Sequence, residues 1–222
     1  MISDQHLFLT LEGCDGAGKT SIREALCAGL RRAGRPCLVV GQHSWLDPSA
    51  SRVIVDIRQG RRAHPPDAVA DAYFRDKVAH VRGTIDPALR NVSVIADRYI
   101  TSDAVYQEVL YGIPADRTLL RHDEAGTRRP DLVVFVEVDP MTAYERILGR
   151  GKATRHYERP APLRDIDAVY RRVLFEAPPV TLAPVVRFLN HTPDWRRRVE
   201  TELLPAVLGF FGRYASASGG TP

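Results

Sequence analysis

The sequence predicts an α/β fold: a five-stranded parallel sheet flanked by helices on both faces. Three observations predict it. Five near-continuous apolar runs, LFLTLE at 7–12, PCLVVG at 36–41, VSVIAD at 92–97, DLVVFVEV at 131–138 and PVVRFLN at 184–190, lack polar alternation, as strands buried on both faces do. Helix-length stretches separate them, and strands alternating with helices build a parallel sheet covered on both sides. The first strand breaks into a glycine-rich turn before the first helix.

Taken in order, strand 7–12 leads into GCDGAGKT and then SIREALCAGLRRAG, a helix that Gly34 closes as a C-cap. After strand 36–41, PPDAVADAYFRDKVAHVRGTIDPALR opens with prolines at a helix entrance. Strand 92–97 precedes the helical ITSDAVYQEVLYG, and strand 131–138 precedes DPMTAYERILGRG, which repeats the proline-start, glycine-stop pattern. No internal repeat is present. The expected organisation is one domain over 1–215, with SASGGTP from Ser216 a disordered tail.

Composition narrows the function classes. At 222 residues and 44% hydrophobic content the chain buries a sizeable core. The net charge is +4, but the cations are spread along the chain and are nearly all arginine: Lys19, Lys77 and Lys152 are its only lysines. This points to anionic small molecules, with neither nucleic acid nor membrane among the expected partners. Cys14, Cys27 and Cys37 make neither an even disulfide set nor a CxxC pair, and the histidines show no ligand spacing. The expectation is a reduced cytoplasmic protein without structural zinc, secretion signal or membrane span.

Gly13-Cys14-Asp15-Gly16-Ala17-Gly18-Lys19-Thr20, with Ser21 behind it, fits G-x-x-x-x-G-K-[ST] where that phosphate-binding loop must sit, after a strand and opening a helix. The glycines let backbone N–H groups turn inward, and the helix N-terminus adds positive potential for a polyphosphate. Lys19 then reaches the β- and γ-phosphates of ATP and the Thr20 hydroxyl ligates Mg2+. The fold is that of a P-loop NTPase.

Strand 92–97 ends in Asp97-Arg98, at the sheet edge where the loop also lies. Asp97 there either holds the magnesium shell or accepts the proton of an attacking hydroxyl, and Arg98 neutralises an acceptor phosphate. An ion pair or a helix cap is the structural alternative. On the next helix Ser102, Asp103, Tyr106 and Gln107 share one side, either facing a base and sugar or solvated.

LFLTLEGCDGAGKTSI, DRYITSDAVYQ and RRPDLVVFVEVDPMTAYERI together resemble the thymidylate kinase family of nucleoside monophosphate kinases, from residue 6 to about 205. The resemblance implies ATP and Mg2+ as cofactors, a nucleotide acceptor, and a homodimer through the helices within 66–90 and 101–111. It places Asp15 near the acceptor sugar and phosphate, and Asp97 and Arg98 on magnesium and that phosphate. Tyr73 falls where the family stacks an aromatic on thymine, with a core aromatic as the alternative, and Lys77 falls where an arginine reaches the base. Residues 149–160, GRGKATRHYERP, match the family's lid, whose Arg150, Lys152, Arg155 and Arg159 would close on the phosphates. With Ala17 in the loop, the catalytic arginines are expected in the lid, Arg150 and Arg155 foremost.

The acceptor half departs from the family pattern. An Arg-Glu-Pro-Gly stretch after the second strand is replaced by GQHSWLDPSASR, in which Asp47-Pro48 is the match to Glu-Pro and Leu46 stands for the arginine. Arg52 and His43 are the candidates to replace that charge. Lys77 for arginine and Asp103 for a neutral residue complete the departures. The expected reaction is phosphoryl transfer from ATP to dTMP. Two alternatives stand: a divergent paralogue that phosphorylates a nucleoside or another small hydroxyl compound, and a nucleotide-dependent regulator without an acceptor.

Overall fold

The computed structural model of the chain describes residues 6–151, 153–178, 180 and 183–217, with 212–217 described by their helical backbone alone. In chain order the first elements are β1 (Phe8–Glu12), α1 (Lys19–Arg32), β2 (Cys37–Val40), α2 (Pro48–Arg58) and α3 (Pro66–His80). A π-helical turn, Val81–Ile85, links α3 to α4 (Asp86–Leu89), so the helical stretch expected at 65–90 is one rod with an altered middle turn. Then come β3 (Ser93–Asp97), α5 (Ile100–Tyr111), α6 (Ala115–Glu124), β4 (Leu132–Glu137), α7 (Pro140–Leu148) and α8 (Pro160–Arg171). β5 (Val185–Leu189), α9 (Trp195–Arg198) and α10 (Leu204–Ala217) close the described chain. The helical backbone of α10 includes Ser216 and Ala217, and residues 218–222 lie outside the described residues.

The strands form one parallel sheet in the order β2-β3-β1-β4-β5. β1 is central, pairing Leu9 with Ile95 on one side and with Leu132 on the other. Side chains alternate along it. Leu7, Leu9 and Leu11 enter the core with Ile22, Leu26 and Leu30 of α1, while Phe8 packs on the other face with Val94, Ile85 and Ala104. Burying each such leucine contributes about 1.5–3 kcal/mol. β1 and β4 are buried throughout, as their unbroken apolar runs predict. The edge strand β2 departs from that expectation: Leu38 and Val39 are 41% and 39% exposed, because β2 lies at the rim of the sheet.

Local chemistry sets the helix ends. Asp47 caps α2 by accepting from the Ser49 and Ala50 amides with Pro48 behind it, and Asp139 caps α7 in the same way ahead of Pro140. Gly34 closes α1 at φ 73°, where the Arg35 amide donates back to the Leu30 carbonyl at 2.8 Å. Cys27 and Cys37, which sequence spacing gave no reason to pair, stand as free thiols with sulfurs 3.5 Å apart between α1 and β2.

β1 crosses over to β2 on one side of the sheet while β3 crosses to β4 on the other, so the C-terminal ends of β1 and β3 flank the crevice where the strand order reverses. Leu11 pairs with Asp97 in this register. The glycine loop and Asp97-Arg98 therefore emerge side by side.

Candidate active site

The loop after β1 has the backbone that its sequence requires. Gly13, Gly16 and Gly18 all sit at positive φ, and a Cβ on Gly16 or Gly18 would run into the Ala143 carbonyl or the Asn190 amide. Asp15, Gly16, Gly18, Lys19, Thr20 and Ser21 line a cavity of about 810 Å³. Gly13 and Ala17, expected at the cofactor, do not line it: the Gly13 carbonyl accepts from Lys19 Nζ at 3.0 Å and from Arg98 at 2.9 Å, and Ala17 is fully buried. Burial and the neighbouring Arg98 guanidinium push the Lys19 ammonium down to about 8. A cavity lined by the glycine loop, a lysine and several arginines at the N-terminus of α1 fits a nucleoside triphosphate. Thr20 and Asp97 border it with hydroxyl and carboxylate oxygens, the donors that Mg2+ takes. Asp97 is paired with Arg23 at 2.7 Å.

Arg98 is the hub of the site. It adopts φ 74°, a strained backbone for a long side chain, and this turns the chain so that its guanidinium lies over the loop. There Nη2 donates to Asp15 Oδ1 at 2.9 Å and to the Tyr106 hydroxyl at 3.0 Å, and Nη1 donates to Gly13 O, Ser102 Oγ and Tyr170 Oη. The Tyr106 hydroxyl in turn donates to Asp15 Oδ2 at 3.0 Å. Burial works to raise the Asp15 pKa, but Arg98 and Lys19 outweigh it and hold the carboxyl below the usual range. Beneath Arg98, Glu12 accepts from the Tyr99 amide and from Ser102; burial raises its pKa to about 7.

A second cavity of about 510 Å³ opens beside the first, walled by Tyr73, Tyr106, Gln107, Tyr111 and Tyr157. Asp15, Gln42, His43, Arg58, Arg98, Ala153 and Arg155 border both cavities and so mark their junction. Residues 153–157 border the second cavity at that junction: Arg155 Nη1 donates to the Tyr157 hydroxyl at 2.6 Å, and the Tyr157 ring stands edge-on to Tyr106. Arg150 also faces the first cavity, Arg159 borders neither, and Lys152 lies outside the described residues.

Four residues expected at the acceptor are not on its wall. Asp47 caps α2 and pairs with Arg75 at 2.7 Å, because Asp-Pro here is a helix start. Lys77 turns inward from α3 to pair with Asp103 at 3.2 Å and to donate to the Gln42 carbonyl at 2.5 Å. Asp103 also accepts from Gln42 Nε2 at 2.7 Å, and Ser102 is buried against Glu12, Tyr170 and Arg98. Tyr106 and Gln107, one turn later on the helix, do reach the cavity. Leu46 is 54% exposed and away from both cavities. What leaves the end of β2 toward the site is Gln42 and His43, which sequence reading passed over or named only as a substitute.

The comparison that decides the class matches residues 11–181 to the family model described as thymidylate kinase. The chain belongs to the thymidylate kinase family. It is 34% identical over 165 residues to the thymidylate kinase of Xanthomonas campestris pv. campestris, covering 74% of this chain and 70% of that one. It is 33% identical over 174 residues to the probable thymidylate kinase of Methanospirillum hungatei, covering 77% and 81% respectively. As a member of the thymidylate kinase family the protein is a kinase, an enzyme of phosphoryl transfer. These relatives lend no support to a paralogue acting on unphosphorylated hydroxyls or to a nucleotide switch without an acceptor.

Proposed function

We propose that the protein transfers the γ-phosphoryl group of ATP to dTMP, giving dTDP, in the cytoplasm and as a homodimer. The observation that carries this reading is the meeting of Asp15, Arg98 and Tyr106 at the junction of a phosphate-loop cavity and an aromatic-walled cavity. Lys19 and the loop amides hold the donor phosphates. Mg2+, for which Thr20 and Asp97 offer the oxygens, supplies positive charge to the phosphates when bound. Arg98, fixed on five partners, presents its charge to the acceptor, and Asp15 and Tyr106 hold the sugar edge. Tyr73 offers its ring to the base. The Gln107 carbonyl oxygen is engaged by Thr118 at 3.1 Å, so its NH2 remains to donate to a base carbonyl.

Arg150 and Arg155 then add charge from the lid side as it excludes water. Little covalent work falls to the chain; positioning and charge neutralisation supply the acceleration. An acceptor panel of dTMP, dUMP, dCMP, dGMP and thymidine with ATP and Mg2+, products identified by mass, tests the reading. dTDP should dominate. A phosphorylated nucleoside with no diphosphate product would overturn it. Light scattering at micromolar concentration should report twice the 24.7 kDa chain mass.

A further inference from the structure

We infer that Arg58, at the C-terminal end of α2, is a second cation on the acceptor's phosphate beside Arg98, replacing the charge absent from the exit of β2. The inference rests on the monophosphate-kinase reading above and names a residue for it. An acceptor phosphate has to lie where the donor and acceptor cavities meet, since the γ-phosphoryl group passes between them. Three arginines border that junction: Arg58, Arg98 and Arg155. Arg98 is engaged by Asp15, Gly13, Ser102, Tyr106 and Tyr170, and Arg155 is held to Tyr157. Arg58 is exposed and makes no hydrogen bond or ion pair among the described residues, so an anion meets its full fork without first displacing a partner.

The residues nearer β2 do not supply the charge. Gln42 is neutral and tied by its side chain to Asp103 and by its carbonyl to Lys77. His43 is pushed below its ordinary pKa by burial, against the pull of its contact with Asp76, so it stays neutral at pH 7. Arg52 borders neither cavity: six positions before Arg58 on the same helix, it points about 120° away around the axis. Arg58 also sits close enough to Tyr73 for its charge to act on that phenol, which places it on the acceptor side of the junction.

The test measures binding of nucleoside monophosphates and of the matching nucleosides to the full chain by calorimetry, for wild type, Arg58→Gln and Arg58→Lys. The ratio of monophosphate to nucleoside affinity should fall about tenfold or more in Arg58→Gln and recover in part in Arg58→Lys, with ATP affinity unchanged. In turnover the loss should appear in the acceptor KM with kcat within about threefold. An unchanged ratio in Arg58→Gln overturns the assignment, as does an equal loss of nucleoside and monophosphate binding, the mark of a structural role. If wild type fails to phosphorylate dTMP, the thymidylate reading falls, and the ratio for whichever monophosphate binds still decides Arg58. If no monophosphate binds better than its nucleoside, both fall.

Discussion

Lys77 on α3 and Asp103 on α5 form an ion pair sealed from solvent, with Nζ 3.2 Å from Oδ2 and side chains 0% and 1% exposed. Two departures from the family pattern at the acceptor thereby explain each other: lysine and aspartate neutralise one another behind the cavity. Both hold Gln42, through its carbonyl and its amide, at the mouth of the junction.

Breaking that pair leaves a buried charge without its counterion. Lys77→Met and Asp103→Asn should each cost about 3–5 kcal/mol in urea unfolding, and the double variant should cost at least about 2 kcal/mol less than their sum. Strict additivity would show that the two charges do not depend on one another.

Lys19 donates to the Gly13 and Cys14 carbonyls at 3.0 and 2.8 Å, so part of its role is to shape the loop. Lys19→Ala should lower kcat by about a hundredfold or more. Losing two hydrogen bonds of about 1 kcal/mol each should shift the melting midpoint by only a few degrees. Normal turnover in a folded Lys19→Ala protein would remove the loop from the chemistry.

Glu12 gives the fold a pH dependence of defined sign. An acid whose folded pKa stands above its unfolded value binds more protons in the folded state between the two, so stability falls as pH rises across that window. For Glu12 the window runs from its ordinary 4.5 to about 7. Across it wild type should lose roughly 3 kcal/mol relative to Glu12→Gln, which has no such titration. Denaturation of both proteins from pH 4.5 to 8 gives the difference; a flat difference would mean that the carboxyl titrates normally.

The sheet was legible because buried parallel strands need no polar face: every expected strand is present, each trimmed by one residue at its N-terminal end or at both ends. The glycine loop and Asp97-Arg98 were legible for the same kind of reason, since their chemistry is local in sequence. Asp47 misled because Asp-Pro signals a helix cap as readily as a binding motif. Lys77 and Asp103 lie 26 positions apart, and no periodicity reports that two charges from different helices meet in the core. Arg58 carries no motif; only the packing of α2 brings it to the cavities.

The lid separates arginines that its sequence presents alike. Arg155 borders both cavities, and its backbone amide donates to the buried carboxylate of Glu158 at 2.7 Å, which fixes the turn that carries it. Arg159 is exposed at the start of α8 and borders neither cavity. A charge that meets the phosphates mainly in the transition state affects kcat, whereas a solvated one leaves the rate nearly unchanged. Arg155→Ala should therefore lower kcat about a hundredfold or more with acceptor KM changed less than about threefold, while Arg159→Ala should stay within about twofold of wild type. Glu158→Gln should fall between them, since the turn keeps an oxygen acceptor but loses the charge. Steady-state kinetics on the three variants decides the point: equal losses for Arg155→Ala and Arg159→Ala would mean that the lid acts through its overall charge and not through one placed guanidinium.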